Sequence, residues 1–517
     1  MYNSSHFPLT LSLFTLSLIS HNSWANALPN TDNSKLETPA IAAQQHSWQE
    51  QLNNSLQANT SPASSNPAPE PITLNNEDLS HHPELLHELL TQALNQTDVS
   101  LIESLIEAYR QLPQPDPILL TRAEGMIARY QGNYRLATQT YQHLHQQHPN
   151  DERIALDTAA ILFEDKQWRE SQQLFDHITT HTNLPQPVVN NIALYQKHIR
   201  AASQWQFNGN VHLSHDKNIN NAAPSYCTYF GCVSETPINA TGIHYHFSAE
   251  KNTPIKGHHN LLFRGQFSGT SYYFDHQSGY DHAFGRTYLG WQYQNAHHTF
   301  NLLPFYQWQL SGSNEWADKT PKNHTLNMDM FSHATGLHGS WTHRITPRLQ
   351  SYLSAEWYRQ NYRSAEKAHS HDGNHYSLFG SLAYQIQPNH LIFAGLSNGI
   401  FRPDNASLYH RPNHTAFTRN GVHLGWLANW SALGNLTTHL RASYTDRRYQ
   451  GTVFNTQFKR QRQHNKETVF SASLSHPKIS YKGFTPKLSW EKSHLNSSHQ
   501  WAERKQQRVF LEIEKTF

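Results

Sequence analysis

Histidine is the residue type with the most evident chemical capacity in this chain, which contains 38 histidines among its 517 residues. Imidazole nitrogens bind transition metals, and they exchange protons near neutral pH. No H-E-x-x-H motif or similarly close ligand set lies on one element. The sequence therefore predicts no metal and no cofactor. It favours histidine as a bulky polar side chain on the polar faces of strands, at His212, His244, His246, His338, His423 and His439.

Serine and histidine together could supply the nucleophile and the general base of a hydrolase. Both residue types are abundant by composition, and nothing in their spacing singles out a nucleophile. The chain also has no phosphate-binding loop and no nucleotide-binding glycine run. We therefore predict no catalytic residue and no enzyme. A hydrolase stays as an alternative that assays on the purified protein would detect.

The N-terminus has the pattern of a secretory signal peptide. An apolar stretch from Leu9 to Ile19 is followed by small residues at Ser23 and Ala25, or at Ala25 and Ala27, which offer cleavage sites before Asn26 or before Leu28. We predict a signal peptide over residues 1–25, with a buried N-terminal helix as the alternative.

Only two cysteines occur, Cys227 and Cys232. In an exported protein a close pair of this kind is expected to form a disulfide. A zinc site would need further ligands, and no second cysteine pair supplies them.

The bulk composition excludes several classes of protein. The net charge is +2 and only 15% of residues are charged, so nucleic acid is not an expected partner. Mean hydropathy is −0.72, and no apolar run of about 20 residues follows the N-terminus, which excludes ordinary transmembrane helices. A transmembrane β-barrel passes this test, because its inward-facing residues are polar.

Composition divides the rest of the chain into three zones. Residues 26–77 are rich in Asn, Ser, Pro, Ala and Gln, and we predict a disordered linker. Residues 78–203 carry the spacing of a tetratricopeptide (TPR) repeat, with a second copy about 34 residues later. A helical bundle without repeats is the alternative. The scaffold positions of the first copy are Gly125, Gly132, Ala137, Tyr141 and Pro149.

From about Gln206 onward apolar residues recur at every second position, which indicates β-strands. Phe300, Leu302, Tyr306 and Trp308, for example, share one face of the segment HTFNLLPFYQWQL. We predict that residues 204–517 form a barrel of fourteen strands, which begin near residues 206, 241, 259, 283, 298, 330, 348, 374, 390, 417, 435, 467, 485 and 508.

The predicted connections alternate in length. The even-numbered ones are tight or only modestly long, whereas the odd-numbered ones are mostly long and polar, at 216–240, 311–329, 361–373, 402–416, 447–466 and 494–507. Short turns at one rim and long loops at the other are typical of outer-membrane barrels, whose short turns face the periplasm. The predicted fold is therefore an N-terminal TPR-type α-solenoid in the periplasm, followed by a 14-stranded antiparallel outer-membrane β-barrel. A soluble β-sandwich or propeller is the alternative.

The last ten residues, RVFLEIEKTF, agree with this fold. Val509, Leu511, Ile513 and Phe517 line one face of a strand, and Glu512 lies on the other. An unpaired apolar strand would aggregate, and closure of a barrel in lipid is one way to pair it.

The predicted loop 447–466 is strongly basic. A solvated cationic loop and a contact with lipopolysaccharide phosphates are both open interpretations. Its cations are Arg447, Arg448, Lys459, Arg460, Arg462 and Lys466.

Three stretches carry a resemblance to one family: HDKNINNAAP after the first strand, GFTPKLSWEKS in the thirteenth, and RVFLEIEKTF at the end. Over about residues 80–517 the chain resembles the surface lipoprotein assembly modulators (Slam proteins) of Gram-negative bacteria. The resemblance implies an outer-membrane translocon that exports surface lipoproteins or soluble hemophore-like proteins. The implied partners are that client protein and outer-membrane lipid, and the barrel assembly machinery is a further candidate.

Two routes are open for such a client. It could pass through the barrel lumen, or through an opened seam between the first strand (Gln206–His215) and the last (Arg508–Phe517). A lipidated client must keep its acyl chains in an apolar setting, so the seam is favoured for lipoproteins. A porin for polysaccharide export or passive diffusion is the alternative function, because porins can also join helical repeats to a barrel.

Overall fold

The computed structural model describes residues 82–181, 184–228, 231–234, 236–273, 280–312 and 328–516. The predicted signal peptide, the predicted linker, Phe517 and most of the predicted connection 311–329 lie outside these residues.

Helices occupy the first part of the described chain, and side chains cap several of their N-termini. Asp98, Asp116, Asn133 and Asp151 each accept a hydrogen bond from a backbone N–H in the first turn of the following helix. Helices α1 to α7 are Pro83–Gln96, Val99–Arg110, Pro117–Tyr130, Tyr134–Gln147, Glu152–Glu164, Trp168–His181 and Gln186–Ser203.

Each helix buries an apolar stripe against its neighbours in the chain. Leu90, Ile102 and Tyr109 are buried in the core of the first helices, whereas Phe175 and Ile192 are buried in the core of the last ones. This nearest-neighbour packing is that of a helical repeat solenoid. None of the helices in the described ranges is both long enough and apolar enough to span a bilayer.

The second part of the chain is a closed barrel of fourteen antiparallel strands. Each strand pairs with the next one along the chain, and the last pairs with the first. The predicted fold class, a TPR domain followed by this barrel, is confirmed. Strands β1 to β14 are Trp205–Asp216, Ala240–Lys256, His259–Tyr272, His282–Gln294, His298–Gly312, Met328–Thr346, Leu349–Tyr362, Gly373–Gln387, His390–Pro403, Phe417–Trp430, Leu436–Phe454, Arg460–Ser475, Phe484–Ser497 and Arg504–Thr516.

Two strands begin earlier than the sequence predicts. β12 begins at Arg460 and β14 at Arg504. The predicted loop 447–466 is therefore mostly a β-hairpin, in which residues 455–459 alone lie between β11 and β12. The ladder of backbone hydrogen bonds continues past the apolar part of both strands, as the pairing of Thr452 with Arg462 shows. The connection between β7 and β8 likewise contains a short helix, α8 (Ala365–His371).

Side chains of the barrel alternate between its outer and inner surfaces. On β14, Leu511 is 56% exposed on the outer surface, whereas Glu512 is 8% exposed and faces inward. The stretch HLIFAGLSNGIF is ambiguous from sequence, and the structure places Ile392 and Leu396 on the exposed face and Leu391 on the inner one. The barrel thus presents an apolar band outward, which is the arrangement that lipid requires.

Candidate functional site: the seam of the barrel and the docked helical domain

The predicted repeat scaffold residues lie where α3 meets α4. The ring of Tyr141 is fully buried against Gly125, where an added Cβ would come within 2.5 Å of Tyr141 Cε2. A glycine is therefore required for the two helices to approach this closely. Of the other scaffold positions, Ala137 is fully buried, Gly132 has a φ of +78° in the turn after α3, and Pro149 is exposed in the turn before α5.

The turn between β2 and β3 contacts the helical domain directly. His258 donates a hydrogen bond from Nε2 to Asp165 Oδ2 at 2.8 Å. The backbone N–H of Gly257 donates to Glu170 Oε1 at 2.7 Å. Asp165 and Glu170 flank the turn between α5 and α6, so this turn of the barrel is bound at two points.

The turn between β4 and β5 makes a second contact. His297 Nε2 lies 2.8 Å from the carbonyl oxygen of Gly132, to which it donates a hydrogen bond. The rings of His297 and Tyr134 lie 5.7 Å apart between centroids. We call the residues of both contacts the docking interface: Gly132, Tyr134, Asp165 and Glu170 on the helices, and Gly257, His258 and His297 on the barrel.

A half-buried lysine lies beside the docking interface. Lys166 has a left-handed backbone conformation, with φ of +63°. Its Nζ lies 6.0 Å and 5.7 Å from the ring centroids of Phe163 and Trp168. Burial lowers the pKa of Lys166, and the charge of Arg344 at the end of β6 lowers it further. The packing of the two domains therefore disfavours the charged form of this side chain.

The barrel closes through a short strand pairing, which we call the seam. Within the described residues, which end at Thr516, β1 pairs with β14 from Asn208 to Leu213. On its other edge β1 pairs with β2 along its whole length, from Trp205 to Asp216. Fewer backbone hydrogen bonds therefore hold the seam than hold the next junction.

Side chains bridge the seam where the strand pairing stops. Arg508 Nη1 lies 3.7 Å from Asp216 Oδ2. Arg504 Nη1 donates a hydrogen bond to Asn221 Oδ1 at 3.4 Å. Such contacts between mobile side chains separate more easily than a β-ladder does, because each one breaks independently.

Glu512 connects three strands on the inner surface of the seam. It accepts a hydrogen bond from Asn210 Nδ2 of β1 at 2.7 Å. Lys487 Nζ of β13 lies 2.8 Å from the same carboxylate. Next to them the ring of His212 stacks on Phe510 of β14, 4.4 Å away between centroids. The inner surface of the seam is thus polar and charged.

The inner surface of β3 to β7 is different, because it carries an apolar cluster where the sequence predicts polar residues. Arg286 lies in this cluster, 2% exposed, and its Nη1 is 3.0 Å from Glu356 Oε2. Its guanidinium lies 4.2 Å from the ring centroid of Phe305. A buried ion pair needs such close partners to offset its desolvation. The apolar members are Leu262, Tyr288, Leu303, Phe305, Ala334 and Tyr358.

The histidines do not assemble into a metal site in the described ranges. No group of three His, Cys, Asp or Glu side chains there is arranged to hold a metal ion. His338 donates from Nδ1 towards Glu356 at 3.2 Å, and His244 bonds Thr270 of the neighbouring strand at 3.0 Å. These histidines serve as polar residues of the inner wall.

A Gly-x-Ser-x-Gly pattern, the motif of many serine hydrolases, runs from Gly395 to Gly399. Its serine, Ser397, is a candidate nucleophile that the prediction from sequence did not consider. Ser397 Oγ lies 3.0 Å from His423 Nε2. Hydrolases with this motif place the serine on a sharp turn between a strand and a helix, with an acid on the histidine. Ser397 lies inside β9 instead, and His423 Nδ1 has no hydrogen-bond partner. The pair therefore lacks the geometry of a catalytic triad.

The other predicted site residues lie on the barrel and its first loop. Cys227 and Cys232 are joined by a disulfide in a small hairpin of the connection between β1 and β2. Val509, Leu511 and Ile513 are exposed on the outer face of β14, and Ile513 is the register partner of Val211 across the seam.

The sequence does not reveal the docking interface. His258 and Asp165 are 93 positions apart and lie in turns of different domains. Glu512 is different, since it alternates in the sequence with Leu511 and Ile513 of the apolar outer face, which marks it as an acid on the inner face of the last strand.

Family comparisons account for both parts of the chain. The profile described as "Surface lipoprotein assembly modifier" matches residues 205–517, and the one described as "Surface lipoprotein assembly modifier, N-terminal TPR repeats" matches residues 72–175. This chain belongs to the surface lipoprotein assembly modifier family. The resemblance to Slam proteins is thereby confirmed.

Individual relatives align over most of their length. Surface lipoprotein assembly modifier 2 of Neisseria meningitidis serogroup B is 36% identical, over 86% of this chain and 89% of that protein. The surface lipoprotein assembly modifier of Pasteurella multocida is 27% identical, and the alignment covers 98% of this chain and 96% of that protein. The hemophilin secretion modulator of Acinetobacter baumannii is 25% identical, and the alignment covers 77% of this chain and 78% of that protein. Among solved structures, the P. putida toluene transporter TodX is 14% identical, and the superposition covers 60% of this chain and 90% of that protein. Its TM-score is 0.31, which is too low to support an argument.

Proposed function

We propose that this protein is an outer-membrane translocon of the Slam type, which exports surface lipoproteins or soluble hemophore-like proteins. The docking interface carries the proposal. It fixes a helical repeat domain, a fold that binds protein segments, to the rim where β1 begins and β14 ends. The family is named for assembly, and one relative is named for secretion. Neither name describes a reaction, so we assign no catalytic step.

The proposed topology follows from the rims of the barrel. The helical domain binds the rim of short turns, which faces the periplasm in outer-membrane barrels. We therefore assign residues 78–203 to the periplasm and 204–517 to the membrane. Residues 1–25 are proposed as the signal peptide and 26–77 as a linker.

The seam is the proposed route for a lipidated client. Its ladder is short, its inner surface is polar, and its outer surface faces lipid. Beside it, an apolar cavity of about 570 Å³ opens on the outer wall, with Phe207, Gly209, Phe247 and Trp308 among its lining residues. A polar polypeptide at the inner surface and an acyl chain at the outer one would each meet a matching environment.

A disulfide across the seam tests this route. Val211→Cys with Ile513→Cys joins register partners of β1 and β14, in a background where Cys227 and Cys232 are serine. We expect surface display of a lipidated client to fall to background when the bond is oxidised, and to return on reduction. The measurement is client labelling on intact cells.

The matched control is Leu213→Cys with Ile243→Cys, which joins β1 to β2 and leaves the seam free. This variant should display the client normally. Full display from a completely oxidised seam variant would exclude the seam and favour the lumen.

Deletion of the gene separates the translocon from the porin alternative. We expect one or a few surface proteins to disappear while polysaccharide export and solute permeability stay unchanged. Accumulation of a sugar polymer in the periplasm would instead support the porin.

A further inference from the structure

On five neighbouring strands the outer face of the barrel changes from apolar to polar towards the loop-bearing rim. Val422, Tyr444, Phe470, Trp490 and Val509, on β10 to β14, end the apolar band on their strands, and one further apolar residue, Phe454, stands ten residues beyond Tyr444 at the end of β11. By register Trp490 and Val509 lie level with each other, Phe470 lies two residues further out, and Val422 and Tyr444 lie four residues further out. Lipid headgroups are expected at this boundary.

Cations occupy the outer face at this boundary and beyond it. Lys492 is the register partner of Phe470, and one row further out Lys505 is the partner of His494. Lys466 is the partner of Asp446 and Asn496, and Arg462 follows on the same face of β12. All four cations are exposed. We call Arg462, Lys466, Lys492 and Lys505 the outer-rim patch.

The outer-rim patch has little negative charge to balance it. Asp446, on the adjacent strand, is engaged by Arg448 at 2.9 Å and by His464. Glu503 lies just before β14. In the described ranges, no ion pair joins any of the four patch cations to an acid. On β7, by contrast, Arg359 lies 2.6 Å from Asp404, and Arg363, just beyond the strand, lies 2.6 Å from Asp329.

The dimensions of the patch fit a lipid headgroup with more than one phosphate. Neighbouring strands lie about 4.8 Å apart, and each residue along a strand adds about 3.4 Å. By register Lys466, Lys492 and Lys505 lie within roughly 15 Å of one another, whereas Arg462 lies about 14 Å beyond Lys466 along β12, so the three lysines form the compact part of the patch. Lysine and arginine bind phosphate oxygens through charge-assisted hydrogen bonds. The apolar residues below would contact acyl chains, so charge and apolar surface are stacked in the order in which a lipid presents them.

We propose that the outer-rim patch binds the phosphates of an anionic glycolipid of the outer leaflet, with its acyl chains on Tyr444, Phe470, Trp490 and Val509. The site rests on the proposed position in the outer membrane. Because β14 forms one edge of the seam, the bound lipid stands next to the proposed exit route.

Lipid titration of the full chain in phosphatidylcholine nanodiscs tests the proposal. The probes are bisphosphorylated lipid A and the same lipid without phosphates, and native mass spectrometry counts the bound lipid. We expect the phosphorylated lipid to bind more tightly, with affinity that falls as salt rises. Each cation removed should weaken binding about fivefold, so Arg462→Gln, Lys466→Gln, Lys492→Gln and Lys505→Gln together should abolish it.

The control carries the same change of charge away from the patch: Lys197→Gln, Arg348→Gln, Lys478→Gln and Lys482→Gln, all at exposed positions. It should bind lipid A like the native protein, and heat-modifiable gel mobility should show that both variants are folded barrels. Equal binding by the native protein and the patch variant would overturn the proposal. Equal binding of both lipids, or complete displacement by inorganic phosphate, would overturn it as well.

The titration contains no client, so it is independent of the translocon assay. Retained lipid binding together with failed client display would count against the proposed function and not against the patch.

Discussion

At the scale of single residues, burial decides what the histidines can do. His371, at the end of α8 in the connection between β7 and β8, is 7% exposed. Its Nδ1 lies 2.6 Å from Ser370 Oγ, and its Nε2 has no hydrogen-bond partner. Burial, with smaller contributions from the charges of Lys367 and His414, lowers the pKa of His371 to about 4.

This pKa predicts that acid loosens the β7–β8 connection. Unfolded His371 binds a proton near pH 6.5, whereas the folded form does so only near pH 4. The neutral folded form is therefore fully stable above pH 6.5 and loses stability as the pH falls towards 4. We expect amide exchange of residues 365–371, corrected for intrinsic rates, to accelerate over this range.

Two variants check the assignment. His371→Phe keeps a ring near Tyr362 and should remove the acid effect, whereas His369→Phe, at an exposed position of the same helix, should keep it. The same acid effect in His371→Phe would show that another group is responsible.

At the scale of elements, the helix pair depends on one missing side chain. Gly125 lets α3 approach the buried ring of Tyr141 on α4. Gly125→Ala should destabilise the helical domain by about 1–3 kcal/mol, because the new methyl group overpacks the contact. Thermal unfolding followed by the helical circular dichroism signal measures this change in the full chain.

Ser104→Ala is the matched control, since it places an alanine at an exposed position of α2. It should unfold like the native protein or at slightly higher temperature, because alanine favours helix. Gly125→Ala with unchanged unfolding would mean that the ring of Tyr141 can move aside.

Most elements could be predicted from sequence because their signals are local. Twelve predicted strand starts lie within two residues of the observed ones. β12 and β14 begin earlier because their first residues are polar on both faces, so no alternation marks them. Leu303 and Phe305 break the alternation of β5, and the structure gives the reason: both belong to the inner apolar cluster near Arg286.

At the scale of the whole molecule, the docking interface makes the helical domain and the barrel one assembly. His258→Ala with His297→Ala removes one hydrogen bond from each barrel turn. We expect faster amide exchange at residues 132–134 and 165–168, and weaker client display, with normal barrel insertion. Hydrogen-exchange mass spectrometry and surface labelling give the two readouts.

His390→Ala is the control, because His390 stands at another turn of the same rim, where it packs on Trp426 and Trp430. It should change neither readout. Unchanged exchange in the double variant would show that other contacts hold the domains together.

The sequence by itself determined the class of molecule: a helical repeat followed by a barrel with an apolar outer surface. The helical repeat and the alternation of apolar and polar residues in the strands are local patterns, so each segment of the sequence predicts its own secondary structure. Only the tertiary structure decided the length of the seam, the docking interface and the row of cations above the apolar band. These features depend on closure of the barrel, which brings Asn210 within 2.7 Å of Glu512, 302 positions away. A local sequence pattern cannot predict which residues, far apart in the chain, come into contact.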